Sequence, residues 1–169
     1  VLDKKFNLYI PQEEIESVIK NIANQINEDY KDKNPLFLVM LNGAFMFASQ
    51  LFKELSIDCE TSFVKYSSYE GTQSTCEVKE LIGLNSSLEG RDIIIVEDII
   101  DSGFTMNCLL QKLQTMKVAS AKIATMLFKP NAFKFDYNID YVGMNIGNEF
   151  IVGYGLDYNE HGRNYSSIY

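Results

Sequence analysis

Apolar positions recur along this chain in two periods. Ile15, Val18, Ile19, Ile22, Ile26 and Tyr30 return at steps of three and four, the spacing of one helix face. They predict an amphipathic helix over 12–30. Pro11, followed by Glu13 and Glu14, suits its start. Leu36–Leu41 (LFLVML) is a continuous apolar run and predicts a short buried strand. Asn42-Gly43 makes a sharp turn, and 44–55 predicts a helix with Phe47, Leu51 and Leu55 inward. Cys59–Tyr69 predicts a strand, Glu70–Cys76 a polar loop, and Glu77–Gly83 a strand. After a turn at Glu89, Gly90 and Arg91, the residues Ile93–Val96 form another buried strand. Met106–Met116 continues as a helix, Ala121–Phe128 as a strand, and Tyr141–Met144 and Phe150–Tyr154 as short strands. The tail is polar and aromatic.

Strands that alternate with helices imply parallel pairing in an α/β sheet with helices on both faces. Ligands of such sheets bind beyond the carboxyl ends of the strands. The turns after Leu41, Val96 and Phe128 therefore gather at one edge. The 169 residues suggest a single domain, 1–169, and neither a repeat nor a linker interrupts them. No apolar run nears the roughly 20 residues that span a bilayer, and a cytoplasmic protein without membrane contact is expected. Three scattered cysteines, Cys59, Cys76 and Cys108, are read as reduced thiols, since no C-x-x-C is present. A net charge of −8 speaks against a nucleic-acid partner. It leaves room for an anionic small substrate held by local amides, an Arg and a metal.

The densest chemistry lies in IIIVEDIIDSGFT, Ile93 to Thr105. Glu97, Asp98 and Asp101 crowd the end of a buried strand. Ser102, Gly103, Phe104 and Thr105 then turn into a helix. Carboxylates can hold sugar hydroxyls or a metal. A helix start offers unpaired N–H donors and a positive dipole end to a phosphate, so a sugar phosphate would satisfy both halves. A carboxylate beside other acids also holds its proton more tightly, as a general base requires. The competing reading is a solvated strand end. Receiver domains of phosphorelays also place acids after such a strand, but after the first strand of the domain, whereas this pair sits mid-chain. No G-x-x-x-x-G-K-[ST] phosphate loop exists.

IIIVEDIIDSGFT resembles the phosphoribosyl-pyrophosphate signature of type I phosphoribosyltransferases. From about residue 10 to the end, the chain is similar to the hypoxanthine-guanine phosphoribosyltransferases. LNGAFMFASQL, SSYEGTQST, VEDIIDSGFT, LFKP and FIVGYGLDYNEHGR stand in that family's order. The resemblance implies a twisted, mostly parallel sheet flanked by helices, with a small hood. It implies transfer of a ribosyl 5-phosphate from 5-phosphoribosyl 1-pyrophosphate to hypoxanthine or guanine, with Mg2+ and in a homodimer or homotetramer.

Residue roles follow from the same resemblance. Asp101, Ser102, Gly103, Phe104 and Thr105 would wrap the 5′-phosphate. Glu97 and Asp98 would hold the ribose hydroxyls, and Asp101 would be the acid/base partner at purine N7. Lys129 would donate to the 6-oxo group. Phe150 would stack on the purine, with the Ile151 backbone at its 2-position edge, although a plain core role for Phe150 stands beside this. Asp157 would lie near the base and share a magnesium with Glu97 and Asp98. Asn42, Gly43 and Arg163 would meet the pyrophosphate, and Ser68-Tyr69 would open a lid, against the plainer reading of a surface hairpin. The family often has a basic residue where this chain has Asn42, so only roles that need no cation there are carried over. In relatives the same turn holds a cis peptide. A nucleic-acid-binding regulator that senses the sugar pyrophosphate and a xanthine-preferring enzyme are the alternatives.

Overall fold

The computed structural model describes residues 1–67, 79–82 and 87–169. The elements run α1 (Gln12–Asp29), β1 (Leu36–Leu41), α2 (Phe45–Glu54), β2 (Glu60–Ser67), β3 (Lys79–Ile82), β4 (Asp92–Ile100), α3 (Phe104–Thr115), β5 (Ser120–Phe128) and β6 (Tyr141–Asn145). The strands form one sheet in the order β3-β2-β1-β4-β5-β6. β2, β1, β4, β5 and β6 pair in parallel, and β3 joins the edge of β2 antiparallel.

This order contains a reversal. The chain steps outward from β1 to β2, then returns to lay β4 on the other side of β1. Right-handed crossovers in opposite directions put their helices on opposite faces, so α2 covers one face and α3 the other. In such sheets the ligand crevice belongs at the reversal, between the loops after β1 and β4. Here those loops are the Asn42-Gly43 turn and the acid-rich segment.

The core explains the apolar runs. Phe37, Leu38 and Val39 of β1 and Ile93–Val96 of β4 are fully buried, as strands covered on both faces must be. Ile15, Ile19, Ile22 and Ile26 form the inner face of α1, which packs on α2 and β6. Ser167 Oγ accepts the Gln12 amide at 3.2 Å, so the tail helps to cap α1.

Three expectations are corrected. β4 does not stop at Val96: it runs on to Ile100, because β5 keeps pairing with it through Glu97↔Thr125, Ile99↔Leu127 and Ile100↔Phe128. Glu97 and Asp98 are therefore inside the strand, and Asp101 follows its last residue. Phe150–Tyr154 is not a strand of the sheet. Gly153 at φ 110°, Tyr154 at φ 49° and Gly155 at φ 97° are left-handed and cannot extend a ladder. This stretch turns over instead, through isolated bridges Gly153↔Leu156 and Tyr158↔His161. Finally, Cys59 is a free thiol but Cys108 is disulfide-bonded, so the reading of reduced thiols fails at Cys108.

Beyond β6 the chain forms the small hood over the carboxyl edge of the sheet. It is tied to the N-terminal arm by the Ile10↔Ile168 bridge and to itself by paired bonds between Val152 and Tyr169. The loop expected at Glu70–Cys76 lies outside the described residues. Among the described residues no helix is long and apolar enough to cross a membrane.

Candidate active site

Successive side chains of a strand point to opposite faces, and that alternation separates the acid pair. Glu97 turns toward the α3 side, where a cavity of about 130 Å3 is lined by Glu97, Ile99–Asp101 and the turn Ser102–Met106. Asp98 turns the other way, against Gly43 and within the field of Arg163 and Asp157. Asp101 joins neither acid. Its Oδ2 accepts from Lys129 Nζ at 3.1 Å.

Burial sets the charge states. The Glu97 carboxyl is held well above the ordinary range, first by burial and then by the charge of Asp98. Its Oε2 is buried without a hydrogen-bond partner. Asp98 is pushed up to about 6 by burial, against backbone N–H donors and the nearby Arg163 guanidinium, which pull it down. Burial and crowding thus raise the proton affinity of Glu97 and Asp98. A buried, unpaired carboxylate costs free energy in the folded state. A raised folded-state value also means that the stabilising contribution is present at low pH and lost as pH rises. Glu97→Gln should therefore raise Tm by several degrees at pH 8 in EDTA, and the gain should vanish near pH 4. A pH-independent Tm difference in melting curves would contradict this.

The turn after β4 is shaped for close approach. Gly103 has φ 82°, and a Cβ there would come within 2.5 Å of the Phe133 ring and 2.6 Å of the Tyr137 hydroxyl. Tyr137 Oη donates to the Gly103 carbonyl at 2.7 Å. The turn is thus pinned from behind, and Ser102–Met106, with the first residues of α3, line the cavity. Ser102 Oγ lies 3.5 Å from the Phe104 amide.

On the other side of the crevice the Leu41–Asn42 peptide is cis, the geometry that the resemblance implied for this turn. Gly43 packs so tightly on Asp98 that an added Cβ would sit 1.6 Å from Oδ2. Gly155 closes on the same turn from above, where its Cβ would fall 2.0 Å from the Gly43 carbonyl oxygen. Sequence reasoning missed Gly155 and Tyr137. The GYG of the hood was the one available sign of the first.

Lys129 is 8% exposed, a buried lysine and not a solvated surface one. Phe150 is 60% exposed, so the core reading fails for it. Its ring lies 6.2 Å from Phe6 and 5.8 Å, edge-on, from Tyr158. Ile151 beside it is buried. Arg163 donates to the Gly155 carbonyl at 2.9 Å and pairs with Asp157 at 2.7 Å and Glu160 at 3.2 Å. Asp157 Oδ2 also accepts the Glu160 amide at 2.8 Å. Ser68 and Tyr69 lie outside the described residues.

Glu97, Asp98 and Asp157 do not converge. Among the described residues no three His, Cys, Asp or Glu side chains form a metal-holding group, because Glu97 and Asp98 leave the strand on opposite faces. The donors are all carboxylates, however, and magnesium takes oxygen ligands. It needs only one or two carboxylates when substrate phosphates and waters supply the rest. The residues fit magnesium in that mode.

A phosphoribosyl transferase domain model matches residues 10–159. The chain belongs to the phosphoribosyltransferase family. Within this family it is 42% identical over 159 residues to the hypoxanthine-guanine phosphoribosyltransferase of Staphylococcus epidermidis, covering 94% of this chain and 89% of that one. It is also 42% identical over 156 residues to the enzyme of the same name from Bacillus subtilis, covering 92% and 87%. The crystal structure of a hypoxanthine-guanine phosphoribosyltransferase from Bacillus anthracis superposes with a TM-score of 0.93 at 36% identity, over 98% of both chains. The type I phosphoribosyltransferase fold expected from the signature is therefore the fold of this chain.

Proposed function

We propose that this phosphoribosyltransferase converts hypoxanthine or guanine, with 5-phosphoribosyl 1-pyrophosphate, into IMP or GMP and pyrophosphate. One observation carries the choice of base. Lys129 Nζ and Asp101 Oδ2 lie 3.1 Å apart, a donor and an acceptor side by side. O6 and N7 are neighbours on one edge of a 6-oxopurine. The ammonium suits O6, and the carboxylate suits a proton on N7. Adenine presents an amino group to the ammonium instead, and two donors then oppose each other.

N9 of the N7-protonated tautomer forms a bond to C1 of the sugar, the C1–O bond to pyrophosphate breaks, and the N7 proton passes to Asp101. Phe150, exposed on the hood, would provide a face for the purine. The backbone of Ile151 meets its 2-position edge, and Asp157 borders the same end. The Ser102–Thr105 turn with Asp101 receives the 5′-phosphate through backbone N–H groups and hydroxyls. Glu97 and Asp98 take ribose hydroxyls, which would give the orphaned Glu97 Oε2 a donor. The Asn42-Gly43 turn and Arg163 face the pyrophosphate. Asp98 and Asp157 would hold the magnesium, while Glu97, on the opposite face of the strand, is left to the sugar. When bound, the metal offsets the charge of the departing pyrophosphate. Ser68-Tyr69 is assigned to a lid that excludes water.

The enzyme is read as cytoplasmic, since both substrates are intracellular metabolites. It is read as a homodimer or homotetramer, for which the exposed Phe45 and Phe63 offer apolar surface. Incubation with the sugar pyrophosphate, Mg2+ and hypoxanthine should yield IMP and pyrophosphate by chromatography. No nucleotide from either base would refute the proposal. Lys129→Ala should weaken hypoxanthine binding by about 10- to 100-fold, the worth of a charge-assisted hydrogen bond. Equal affinity by calorimetry would remove Lys129 from base recognition.

A further inference from the structure

Among the described residues, the cations assigned so far to this site are already paired. Arg163 already faces the carboxylates of Asp157 and Glu160 at 2.7 and 3.2 Å. Lys129 is matched with Asp101, on the purine side. Asp98 and Glu97 add negative charge around the sugar. Within the Asn42-Gly43 turn itself, a pyrophosphate would meet backbone amides and a neutral side chain.

The neighbouring strand supplies a cation. In the parallel register of β1 and β2, Leu41 stands opposite Lys65, and opposed residues of a ladder share a face. Lys65 therefore stands beside the last residue of β1, where the turn begins. Its side chain is half-buried, and its Nζ donates to Asn42 Oδ1 at 3.1 Å. Asn42 is neutral, so this bond positions the ammonium without cancelling its charge. An ammonium has three donors, and the bond to Asn42 uses one of them.

We infer that Lys65 is the pyrophosphate-binding cation of this site, held at the turn by Asn42 and contributed by β2 rather than by the turn itself. The inference rests on the proposal that the 41–43 turn receives pyrophosphate, and it adds the residue that gives that subsite its charge. Lysine serves phosphate oxygens as a point charge. The donors left over on Nζ point the contact to phosphate oxygens of the leaving group and not to the base.

The test measures binding of inorganic pyrophosphate with MgCl2 by calorimetry, together with KM for the sugar pyrophosphate and for guanine. Lys65→Ala and Lys65→Gln should each weaken pyrophosphate binding by about 10-fold or more, the scale of a lost charge-assisted contact. KM for the sugar pyrophosphate should rise in parallel, while KM for guanine and Tm stay near those of the unaltered enzyme. Lys65→Arg should retain most of the affinity. The decisive variant moves the charge along the same hydrogen bond: the double replacement Asn42→Lys with Lys65→Ala should recover most of the pyrophosphate affinity. Undiminished affinity in Lys65→Ala and Lys65→Gln would overturn the inference while leaving the proposed reaction intact. Loss without recovery in the double variant, or a matching rise in KM for guanine, would reduce Lys65 to a structural role and overturn it as well. If the unaltered protein binds no pyrophosphate, the reading of the turn itself fails, and the inference falls with it.

Discussion

Replacing Asp101 by Asn should lower kcat with guanine by roughly 100-fold, the middle of the range for a lost acid/base group. Asparagine keeps an oxygen that can accept from Lys129, so the 3.1 Å contact has a replacement and KM for guanine should change little. What disappears is the ability to take a proton from N7. The Lys129 ammonium, 8% exposed, also loses its counter-charge, and a buried charge without a partner is costly. Some loss of Tm should therefore accompany the loss of rate. Steady-state kinetics separates the two effects, since kcat is read on folded enzyme below the melting range. A variant that turns over guanine as fast as the unaltered enzyme would remove Asp101 from the chemistry.

Gly43→Ala should have an effect as large by a different route. The added methyl would lie 1.6 Å from Asp98 Oδ2 and 2.5 Å from Cγ, far inside contact distance. The turn cannot retreat, because Gly155 closes on its carbonyl from the other side. One of the two groups must move by an ångström or more: the backbone that would meet pyrophosphate, or the carboxylate that would hold the ribose. Displacements of about 1 Å around a reacting centre cost on the order of 100-fold. The loss should fall on kcat/KM for the sugar pyrophosphate, measured at saturating guanine. Near-normal kcat/KM would show that the Gly43–Asp98 contact is not needed to position the sugar.

Much of the frame could be read from residue order, because burial imposes period on it. The isoleucines of α1 and the apolar runs of β1 and β5 fell where expected. What escaped notice depended on contacts between distant segments. β4 outlasts its apolar run because β5 supplies pairing partners as far as Phe128, which no local pattern reveals. Phe150–Tyr154 has the composition of a strand but the dihedrals of a turn, and Gly153 and Gly155 were the warning. The acids Glu97, Asp98 and Asp101 were visible as a cluster. Their division into a cavity-facing, a turn-facing and a lysine-paired carboxylate needed the strand's alternation to be carried through to Ile100. Lys65 was invisible as a site residue, since its place beside Asn42 follows from the β1–β2 register alone. The residues flanking the crevice were legible as a set, whereas their partners were not.

In the proposed reaction, a buried lysine paired with an acid selects a 6-oxopurine for phosphoribosyl transfer. The most direct measurement is kcat/KM for hypoxanthine, guanine, xanthine and adenine at saturating 5-phosphoribosyl 1-pyrophosphate and Mg2+. The account predicts efficient conversion of hypoxanthine and guanine, with adenine at least about 100-fold poorer because its amino group meets the Lys129 ammonium. Adenine used as well as guanine, or no purine used at all, would contradict it.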